Sequence, residues 1–356
     1  MTAPPLRILH LLNTVRETGN GIINTAMDLA WGQVQRGHEV HVGSAGGEFE
    51  TRLAGWGVRH HVIDQSRRPL TMLRAARTLR ALVRDLEPDV IHAHMMTGMV
   101  IARAIRRARP PLLVGHVHNV YQRSARLMGL ADIVLCCGTS VKETMRSRGV
   151  PLARLDVVLN GTIGSPRLPD PTTVAPATIP RPAIVTVAGM NVRKGISELI
   201  TAFAQVATRH AEAHLHLVGD GPDRARFERE AAATTASARI HFHGFQRDPT
   251  PYLRAADLFV LASRRESFPI VIGEARAAGC AIVATAVDGV PESLDEGQAG
   301  LLVPSQDPAA LASALDRLLG DAAERARWAT AAGVGLDRFR VGRMVDETVA
   351  LYRTSR

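Results

Sequence analysis

Two carboxylates, Glu266 and Glu274, flank a segment whose residue types predict the start of a helix. Ser267 suits an N-cap, Pro269 suits the first helical turn, and Gly279 suits the helix stop. The first turn of a helix exposes unpaired backbone N–H groups and carries a partial positive charge, so it attracts phosphate. A pyrophosphate could therefore lie on these amides while each carboxylate binds sugar hydroxyls.

Two pairs of histidines stand at or just after predicted strands: His92 with His94, and His116 with His118. Residues two apart in a strand share one face, so each pair presents both imidazoles together. Such spacing is compatible with a metal site, but no third ligand or supporting carboxylate is evident. Packed or hydrogen-bonded histidines are the alternative, and we expect no bound metal.

A glycine-rich loop, Thr18-Gly-Asn-Gly-Ile22, follows the first predicted strand. Gly19 and Gly21 would let the backbone approach a diphosphate closely. The loop lacks the G-x-G-x-x-G spacing of dinucleotide sites, and no acidic ribose partner is suitably placed. These absences disfavour a redox enzyme of the Rossmann type.

Short apolar runs alternate with helical patterns along the whole chain, which predicts parallel sheets covered on both faces. Helices are predicted up to residue 36 and at 70–86, 197–208 and 223–233, and mostly from 307 onward. The predicted strands are 8–12, 39–42, 90–93, 112–117, 132–136, 156–159, 183–188, 214–218, 240–242, 258–261, 281–284 and 300–303.

A proline-rich stretch interrupts this alternation and predicts a linker between two α/β domains. We expect an N-terminal Rossmann-like domain over 1–165, a linker over 166–182 and a C-terminal domain over 183–340. The segment 341–356 is expected to form a helix that packs back on the first domain. Two doubly wound domains should face each other across a cleft where ligands bind.

The chain of 356 residues carries a formal charge of +9, nearly all of it from arginine, since Lys142 and Lys194 are the only lysines. The predicted helix 70–86 has apolar residues on one side and Arg74, Arg77, Arg80 and Arg84 on the other. This side is expected to be solvated, and contact with an anionic membrane surface is the alternative. Nucleic acid is not expected as a partner, because no binding motif accompanies the charge.

The three cysteines predict no disulfide framework and no zinc site, since Cys136 and Cys137 are adjacent and Cys280 stands alone. Cys280 is expected to be a small core residue. No apolar run approaches a membrane span, and we do not expect the first residues to act as a signal peptide, because their apolar stretch is short and lacks a clear cleavage site. A cytoplasmic protein is expected, with the inner face of the membrane as a peripheral location.

The stretch from about Leu6 to Leu319 resembles the retaining glycosyltransferases of family 4, which have the two-domain GT-B fold. The E-x7-E motif of that family corresponds to Glu266 and Glu274. The other matching stretches are Arg36-Gly-His-Glu-Val40, Val158-Leu-Asn-Gly161, Gly219-Asp-Gly-Pro222, His243-Gly-Phe245, Ala256-Asp257, Asp288-Gly-Val-Pro-Glu292 and Gly300-Leu-Leu-Val303. Their shared order and spacing make the resemblance specific.

The resemblance implies a retaining, metal-independent transferase without a cofactor, whose co-substrate is a nucleoside-diphosphate sugar. Arg193 and Lys194 would bind the diphosphate, Glu274 the ribose, and Glu266 the donor sugar, while His118 would lie near the reacting carbon. Many family members have Gly-Arg where this chain has Gly189-Met190. Donor contacts are also implied for Gly19, Gly21, Asn191, Gly244, Phe245 and the backbone of Phe268, Pro269, Ile270 and Val271.

The acceptor is expected to be a glycan or a lipid-linked glycan, as in polysaccharide synthesis. His94, His116, Asn119, Tyr121 and Arg123 are the candidates for the acceptor side. Two other functions stay open: a UDP-sugar 2-epimerase, which needs no acceptor, and a non-catalytic subunit that binds a nucleotide sugar.

Overall fold

The computed structural model describes residues 4–106 and 110–355. This part of the chain forms two compact units. One unit contains the chain up to Gly161 together with the segment from Arg340 onward, and the other is Thr162–Phe339. Among the described residues, every helix is too short or too polar to cross a bilayer.

The first unit is built on a parallel sheet that has seven strands in the described residues, in the order β3-β2-β1-β4-β5-β6-β7. The strands are β1 Arg7–Leu11, β2 Glu39–Ser44, β3 Arg59–Val62, β4 Val90–Ala93, β5 Leu112–Val117, β6 Ile133–Cys136 and β7 Leu155–Val157. The order reverses between β1 and β4, so the loops after these two strands diverge and leave a crevice at the carboxyl edge.

Helices cover both faces of this sheet, as parallel strands require. Those between the strands are α1 Gly21–Gln35, α2 Glu50–Gly55, α3 Pro69–Leu86, α4 Met96–Ala104 and α5 Thr139–Ser147. A 3-10 segment, Arg123–Leu130, follows β5. On α3 the predicted division holds, because Leu79 and Val83 are buried while the four arginines are exposed.

The second unit repeats this architecture with a parallel sheet of six strands in the described residues, in the order β10-β9-β8-β11-β12-β13. The strands are β8 Ala183–Val187, β9 His214–Val218, β10 Ile240–Gly244, β11 Leu258–Leu261, β12 Ala281–Thr285 and β13 Leu301–Val303. The helices are α6 Ile196–Val206, α7 Arg224–Ala232, α8 Thr250–Ala255, α9 Ile270–Ala277, α10 Val290–Ser293, α11 Pro308–Gly320 and α12 Ala322–Ala332.

A final helix, α13 Val341–Thr354, packs on the first unit. Met344, Val345 and Tyr352 are fully buried in the same core as strand residues of the first sheet. At the rim, Arg36, which directly follows α1, forms a 2.9 Å ion pair with Asp346. The helix thus completes the hydrophobic core of a unit from whose other strands and helices it is separated in sequence by Thr162–Phe339.

The predicted fold class is confirmed: both units are doubly wound α/β layers with parallel sheets. The domain boundaries stay predictions, and residues 1–3, 107–109 and 356 of the predicted ranges lie outside the described residues. Strand β3 had no counterpart among the predicted strands. Its sequence, Arg-His-His-Val, lacks an apolar run, because β3 is an edge strand whose residues are exposed or partly exposed.

Candidate functional site

In the second unit the strand order reverses between β8 and β11, and the loops after these strands carry Lys194 and Glu266. Connections on the two sides of such a point leave the sheet in opposite directions, which opens a crevice at the carboxyl ends of the strands. Ligands of open α/β sheets bind in this crevice. The two residues therefore stand at the position in the sheet where a binding site is most expected.

Lys194 and Glu266 are in direct contact. The ammonium Nζ of Lys194 lies 2.5 Å from Oε2 of Glu266, and both side chains are largely buried, at 14% and 12% exposure. The same Oε2 accepts a 3.1 Å hydrogen bond from Ser263 Oγ and lies 3.3 Å from Arg193 Nη1. Within the described residues, Glu266 Oε1 accepts no hydrogen bond and Lys194 donates no other. Each side chain thus keeps hydrogen-bonding capacity for a ligand.

The loops that carry these side chains are joined through their backbones. Arg264 N donates to Arg193 O at 2.8 Å, and Arg193 Nη1 donates to Arg265 O at 3.0 Å. Gly195 has φ +67°, and a Cβ there would lie 1.8 Å from the carbonyl oxygen of Ala262. Only glycine fits this close approach, which brings the β8 loop against the β11 loop.

Asp288, in the loop after β12, supports the backbone of the Glu266 loop. Its Oδ2 accepts a 2.9 Å hydrogen bond from Glu266 N and lies 2.8 Å from Arg265 Nε. Gly289 N donates to Glu266 O at 3.0 Å. Three consecutive strands of the sheet therefore contribute to the position of this one carboxylate.

Helix α9 begins at Ile270, and the predicted N-cap is wrong: Pro269 occupies that position, and no side chain caps the helix. Ser267 is buried, and its Oγ has no hydrogen-bond partner in the described residues. Pro269 has no N–H, so the expected amide donors between Phe268 and Val271 exclude it. Phe268 and Val271 are themselves buried.

Glu274 lies one turn into α9 and is partly exposed. Its Oε1 accepts a 2.9 Å hydrogen bond from Thr162 Oγ1. Close packing of the helix makes this contact possible, because a Cβ on Gly273 would clash with Phe339 and Thr162 at about 3 Å. Two residues beyond Glu274, the fully buried guanidinium of Arg276 donates to the carbonyls of Ala332 and Ser293 at 2.8 Å. These hydrogen bonds hold α9 against the segments that contain Ala332 and Ser293.

The remaining donor-side candidates of the second unit lie at the carboxyl ends of β8 and β10. Asn191 precedes the 3-10 turn that carries Arg193 and Lys194, and its Nδ2 donates to Gly189 O at 3.2 Å. Gly244 ends β10 in a left-handed conformation with φ +70°. Phe245 follows it and is 40% exposed, which is unusual for a large aromatic side chain and suits a stacking surface.

In the first unit, Gly19 and Gly21 lie where the loop after β1 enters α1. Gly19 has φ +68°, Gly21 is the first residue of the helix, and the side chain of Asn20 accepts a 3.0 Å hydrogen bond from Ile22 N. The glycine-rich loop therefore leads directly into a helix N-terminus, which favours anions.

A pocket of about 200 Å³ in the first unit is lined by two of the predicted acceptor-side residues, His94 and Asn119, and by His118, which was predicted near the reacting carbon. Arg123 instead lines a separate, more open depression with Arg126 and Arg148. Tyr121 is in neither lining, and His116 is enclosed, at 1% exposure. The assignment of these five residues to the acceptor side stays a prediction.

The pocket histidines belong to a buried cluster that the paired spacing only partly indicated. His10 on β1 joins His92, His94, His116 and His118, so three neighbouring strands contribute. Burial lowers the pKa of His10 to about 4 and that of His118 to about 3, and it lowers the pKa of the others well below the usual value. These imidazoles are neutral at pH 7.

Two groups of these imidazoles have nitrogen atoms close enough to share an ion: His10 with His92 and His94, and His94 with His116 and His118. In each group the nitrogen atoms lie within 4.8 Å of one another. Neutral imidazole is a good ligand for Zn²⁺, Cu²⁺ and Ni²⁺. The direction of the lone pairs decides whether the nitrogen atoms of a group can bind one ion together.

Several residues of both sites were not predicted. Ser263 and Asp288 hold Glu266, and Thr162 holds Glu274. His10 was absent because it stands alone in an apolar strand, with no paired spacing to mark it. A polar residue in an otherwise apolar strand was the available signal, since a buried polar group needs a partner.

Family models match both halves of the chain. The model described as "Glycosyl transferases group 1" matches residues 181–321, and the model described as "Glycosyltransferase Family 4" matches residues 19–162. The first lies within the unit that contains Lys194 and Glu266, and the second covers most of the part of the other unit that precedes Thr162.

Several similar proteins with curated functions are named glycosyltransferases or synthases. The lipopolysaccharide core biosynthesis glycosyltransferase LpsE of Rhizobium meliloti is 32% identical over 148 residues, which span 42% of this chain and 42% of that protein. The glycogen synthase of Mycobacterium tuberculosis is 29% identical over 287 residues, 73% of this chain and 68% of that protein. The chain thus spans less than half of the first relative and about two thirds of the second.

Solved structures share the whole architecture. Anabaena Alr3699/HepE, in complex with UDP-glucose, superposes with a TM-score of 0.84 at 20% identity and covers 98% of this chain and 100% of its own. WaaG, a glycosyltransferase involved in lipopolysaccharide biosynthesis, has a TM-score of 0.78 at 17% identity over 97% and 99%. Both units of this chain therefore have the fold of these proteins.

Proposed function

We infer that this chain, which carries the two halves of a group 1 glycosyltransferase with the GT-B fold, moves a sugar from a nucleoside diphosphate to a hydroxyl acceptor with retention of configuration. The observation that carries this proposal is the contact between Lys194 and Glu266 at the strand-order reversal of the second sheet. A cation for a diphosphate and a carboxylate for sugar hydroxyls stand there side by side.

In the proposed donor site, Lys194 and Arg193 offset the charge that develops on the departing diphosphate. Such electrostatic stabilisation is commonly the largest contribution to catalysis. Lys194 has three N–H donors and gives one to Glu266 within the described residues, so two remain for phosphate oxygens. The amides at the start of α9 add partial positive charge from the adjacent strand connection.

We propose that the two carboxylates bind hydroxyl groups of the ribose and of the transferred sugar. Glu274 would hold the ribose hydroxyls, with its Oε1 oriented by Thr162. Glu266 would accept hydrogen bonds from the transferred sugar through Oε1, since Oε2 already accepts three donors. Phe245 and Gly244 would pack against the base, and Asn191, Gly19 and Gly21 would approach the phosphates.

For the reaction we propose a same-face substitution. The bond between the anomeric carbon and the diphosphate oxygen breaks while the acceptor oxygen bonds to that carbon, and a departing phosphate oxygen takes the acceptor's proton. His118 would lie beside the donor sugar. The protein then contributes position, charge neutralisation and exclusion of water rather than a covalent intermediate. No metal is required in this scheme.

The proposal is tested with nucleoside-diphosphate sugars, first by thermal shift and then by turnover. A ligand that binds the folded protein raises its melting temperature by mass action. UDP-glucose is a sensible first donor, because it is named for a structural relative. We expect release of UDP only with an acceptor, and an α-linked product from an α-linked donor by NMR. A new nucleotide sugar formed without acceptor would indicate the 2-epimerase, and binding without any turnover the non-catalytic subunit.

We also propose that the acceptor is a glycan or lipid-linked glycan and that α3 contacts an anionic membrane surface. Arg74, Arg77, Arg80 and Arg84 are exposed on this helix, and Leu70 near its start is 72% exposed. Basic side chains near an exposed apolar one suit the interface of an anionic bilayer.

Sedimentation with phosphatidylglycerol vesicles tests this surface. We expect the protein to bind these vesicles at low salt and to bind neutral phosphatidylcholine vesicles weakly. The variant with Arg74, Arg77 and Arg80 changed to Gln should lose most of the binding. Equal binding of the variant and the parent would refute the α3 contact.

A further inference from the structure

Buried imidazoles of the first unit form a hydrogen-bonded line. His10 Nδ1 lies 2.9 Å from His94 Nε2, and His94 Nδ1 lies 3.0 Å from His118 Nε2. The ring centroids are 5.2 and 5.3 Å apart, with interplanar angles of 27° and 20°. Each centroid separation is close to the distance between the two bonded nitrogen atoms plus the distance from each nitrogen to its own ring centre. Each hydrogen bond therefore runs nearly straight along the line of ring centres.

Gln33, at one end of the line, determines which nitrogen of each imidazole carries the proton. Its Oε1 lies 2.7 Å from His10 Nε2, and an amide oxygen can only accept. His10 must then carry its proton on Nε2, which leaves Nδ1 to accept from His94. A neutral imidazole has one N–H, so His94 is protonated on Nε2 and accepts on Nδ1 from His118 Nε2–H. The line ends at His118 Nδ1, which carries a lone pair and no proton.

Tyr352 is the hydrogen-bond partner of the amide nitrogen. Gln33 Nε2 donates to Tyr352 Oη at 3.3 Å, and the hydroxyl forms a short hydrogen bond with His92 Nδ1. The amide nitrogen of Gln33 thus donates to Tyr352, and the amide oxygen accepts from His10. Gln33, Tyr352 and His10 are each completely buried, so water does not compete for these bonds.

The same directions argue against an ion shared by His94, His116 and His118. An imidazole binds a metal along a lone pair in its ring plane, but His94 Nδ1 and His118 Nε2 point at each other. His116 is stacked face-on against His118, with centroids 4.0 Å apart and an interplanar angle of 24°. Its lone pairs therefore lie in a plane nearly parallel to that of His118 and do not converge with them.

We propose that Gln33, His10 and His94 are positioning residues that hold His118 in its Nε2–H tautomer, with Nδ1 as an acceptor for a substrate hydroxyl. Within the described residues, His118 Nδ1 is an enclosed atom without a hydrogen-bond partner, and His118 lines the pocket of about 200 Å³. This assignment rests on the proposed function for its substrate, a hydroxyl-bearing sugar. The tautomer itself follows from the position of Gln33 Oε1 against His10 Nε2 and needs no substrate.

The neutral state of the line supports this role. Burial lowers the pKa of His10 to about 4 and that of His118 to about 3, so neither imidazole carries a second proton at pH 7. A protonated His118 would offer two donors and no acceptor. The relay keeps the ring neutral in one orientation, as partners of functional histidines do in other sites.

Nitrogen-15 NMR of the imidazole rings at pH 7 tests the tautomer directly. We expect His10, His94 and His118 to be neutral and protonated on Nε2. A neutral His118 protonated on Nδ1, or a charged His118, would overturn the proposal. This measurement needs no substrate and no variant protein.

Two variants of His10 separate positioning from packing. His10→Leu removes the acceptor for His94 Nε2–H, so we expect a mixture of tautomers at His118 and a fall in kcat of about tenfold or more, with the KM for the donor within about twofold. His10→Asn keeps a side-chain oxygen near the Nδ1 position and should restore both readouts. An unchanged His118 tautomer in His10→Leu would contradict the relay.

A zinc titration examines the rival site. We expect no equimolar Zn²⁺ binding by calorimetry, and equimolar binding that is lost in His116→Ala would overturn the proposal. The proposed transferase function and the proposed histidine relay can be rejected independently of each other. The predicted tautomers without transfer from any donor would reject the proposed function alone, whereas transfer with His118 protonated on Nδ1 would reject the relay alone.

Discussion

At the scale of single residues, Lys194 illustrates how charge and burial select a function. It is one of two lysines in a chain that otherwise uses arginine for positive charge. A compact ammonium donates in three directions, whereas the planar guanidinium favours a paired carboxylate. Its contact with Glu266 gives this small cation a fixed position, and its remaining donors suit the oxygens of a diphosphate.

Lys194→Ala should reduce transfer by about a hundredfold or more, because it removes a charge that stabilises the departing diphosphate. Glu274→Ala should also remove most of the activity, through lost ribose binding. Steady-state assays of the purified variants measure this, with circular dichroism to establish the fold. Lys142→Ala, on α5 in the first unit, is the matched control and should retain normal turnover. Normal turnover in both site variants would rule out the proposed donor site.

The partners of the site residues explain what the sequence could and could not reveal. Glu266 and Glu274 were recognisable because their spacing and the adjacent helix start are local. Ser263 is also local, but Asp288 and Thr162 reach these carboxylates from distant parts of the chain. Their roles depend on which strands lie side by side. The sequence alone does not determine that order.

At the scale of elements, the predictions were best where a strand is buried on both faces. β4, β5, β9 and β11 have the predicted bounds, since each is a short apolar run between polar connections. The edge strand β3 was missed, because exposed polar residues can form it. The start of α9 was placed too early, because Ser267 suits an N-cap by type but lies in a loop that Asp288 and Gly289 hold from another strand.

Gly195 allows the loops after β8 and β11 to meet, and a pair of glycine variants tests its importance. Gly195 and Gly279 both have positive φ, +67° and +81°, but only a Cβ at 195 would meet backbone, at 1.8 Å. Gly279→Ala should cost about 1 kcal/mol of unfolding free energy from backbone strain alone.

Gly195→Ala should cost more, because the two loops must separate, and it should weaken donor binding by tenfold or more, on the order of one lost charge-assisted contact. Urea unfolding and calorimetry of nucleotide binding measure the two effects. Equal losses in both variants would show that the close approach at Gly195 has no special role.

At the scale of the whole molecule, the buried histidines predict a dependence of stability on pH. Their pKa values are lowered in the folded protein, to about 4 for His10 and about 3 for His118, from a usual value of 6.5. Below pH 6.5 the unfolded chain binds protons that the folded chain does not. Stability is therefore complete above pH 6.5 and falls as the pH decreases from 6.5 toward 4.

Each such histidine contributes a slope of about 1.4 kcal/mol per pH unit within this window. We expect the urea midpoint to fall between pH 7 and pH 5, and to fall less steeply in His116→Phe, which removes one titrating ring. The comparison of slopes is independent of any constant change in stability caused by the substitution. Identical slopes would contradict burial of His116 in a neutral form.

The position of α13 has a consequence for how the protein is made. Met344, Val345 and Tyr352 fill the core of the first unit, but a ribosome delivers them only after all of Thr162–Phe339. Domains generally fold as units during synthesis, the N-terminal one first. In this protein the first unit cannot complete its core during synthesis until α13 has been made. The surface of α1 that α13 covers stays exposed until then. A nascent chain that ends at Phe339 and is held on the ribosome through a C-terminal linker should therefore contain a folded second unit and an unfinished first one.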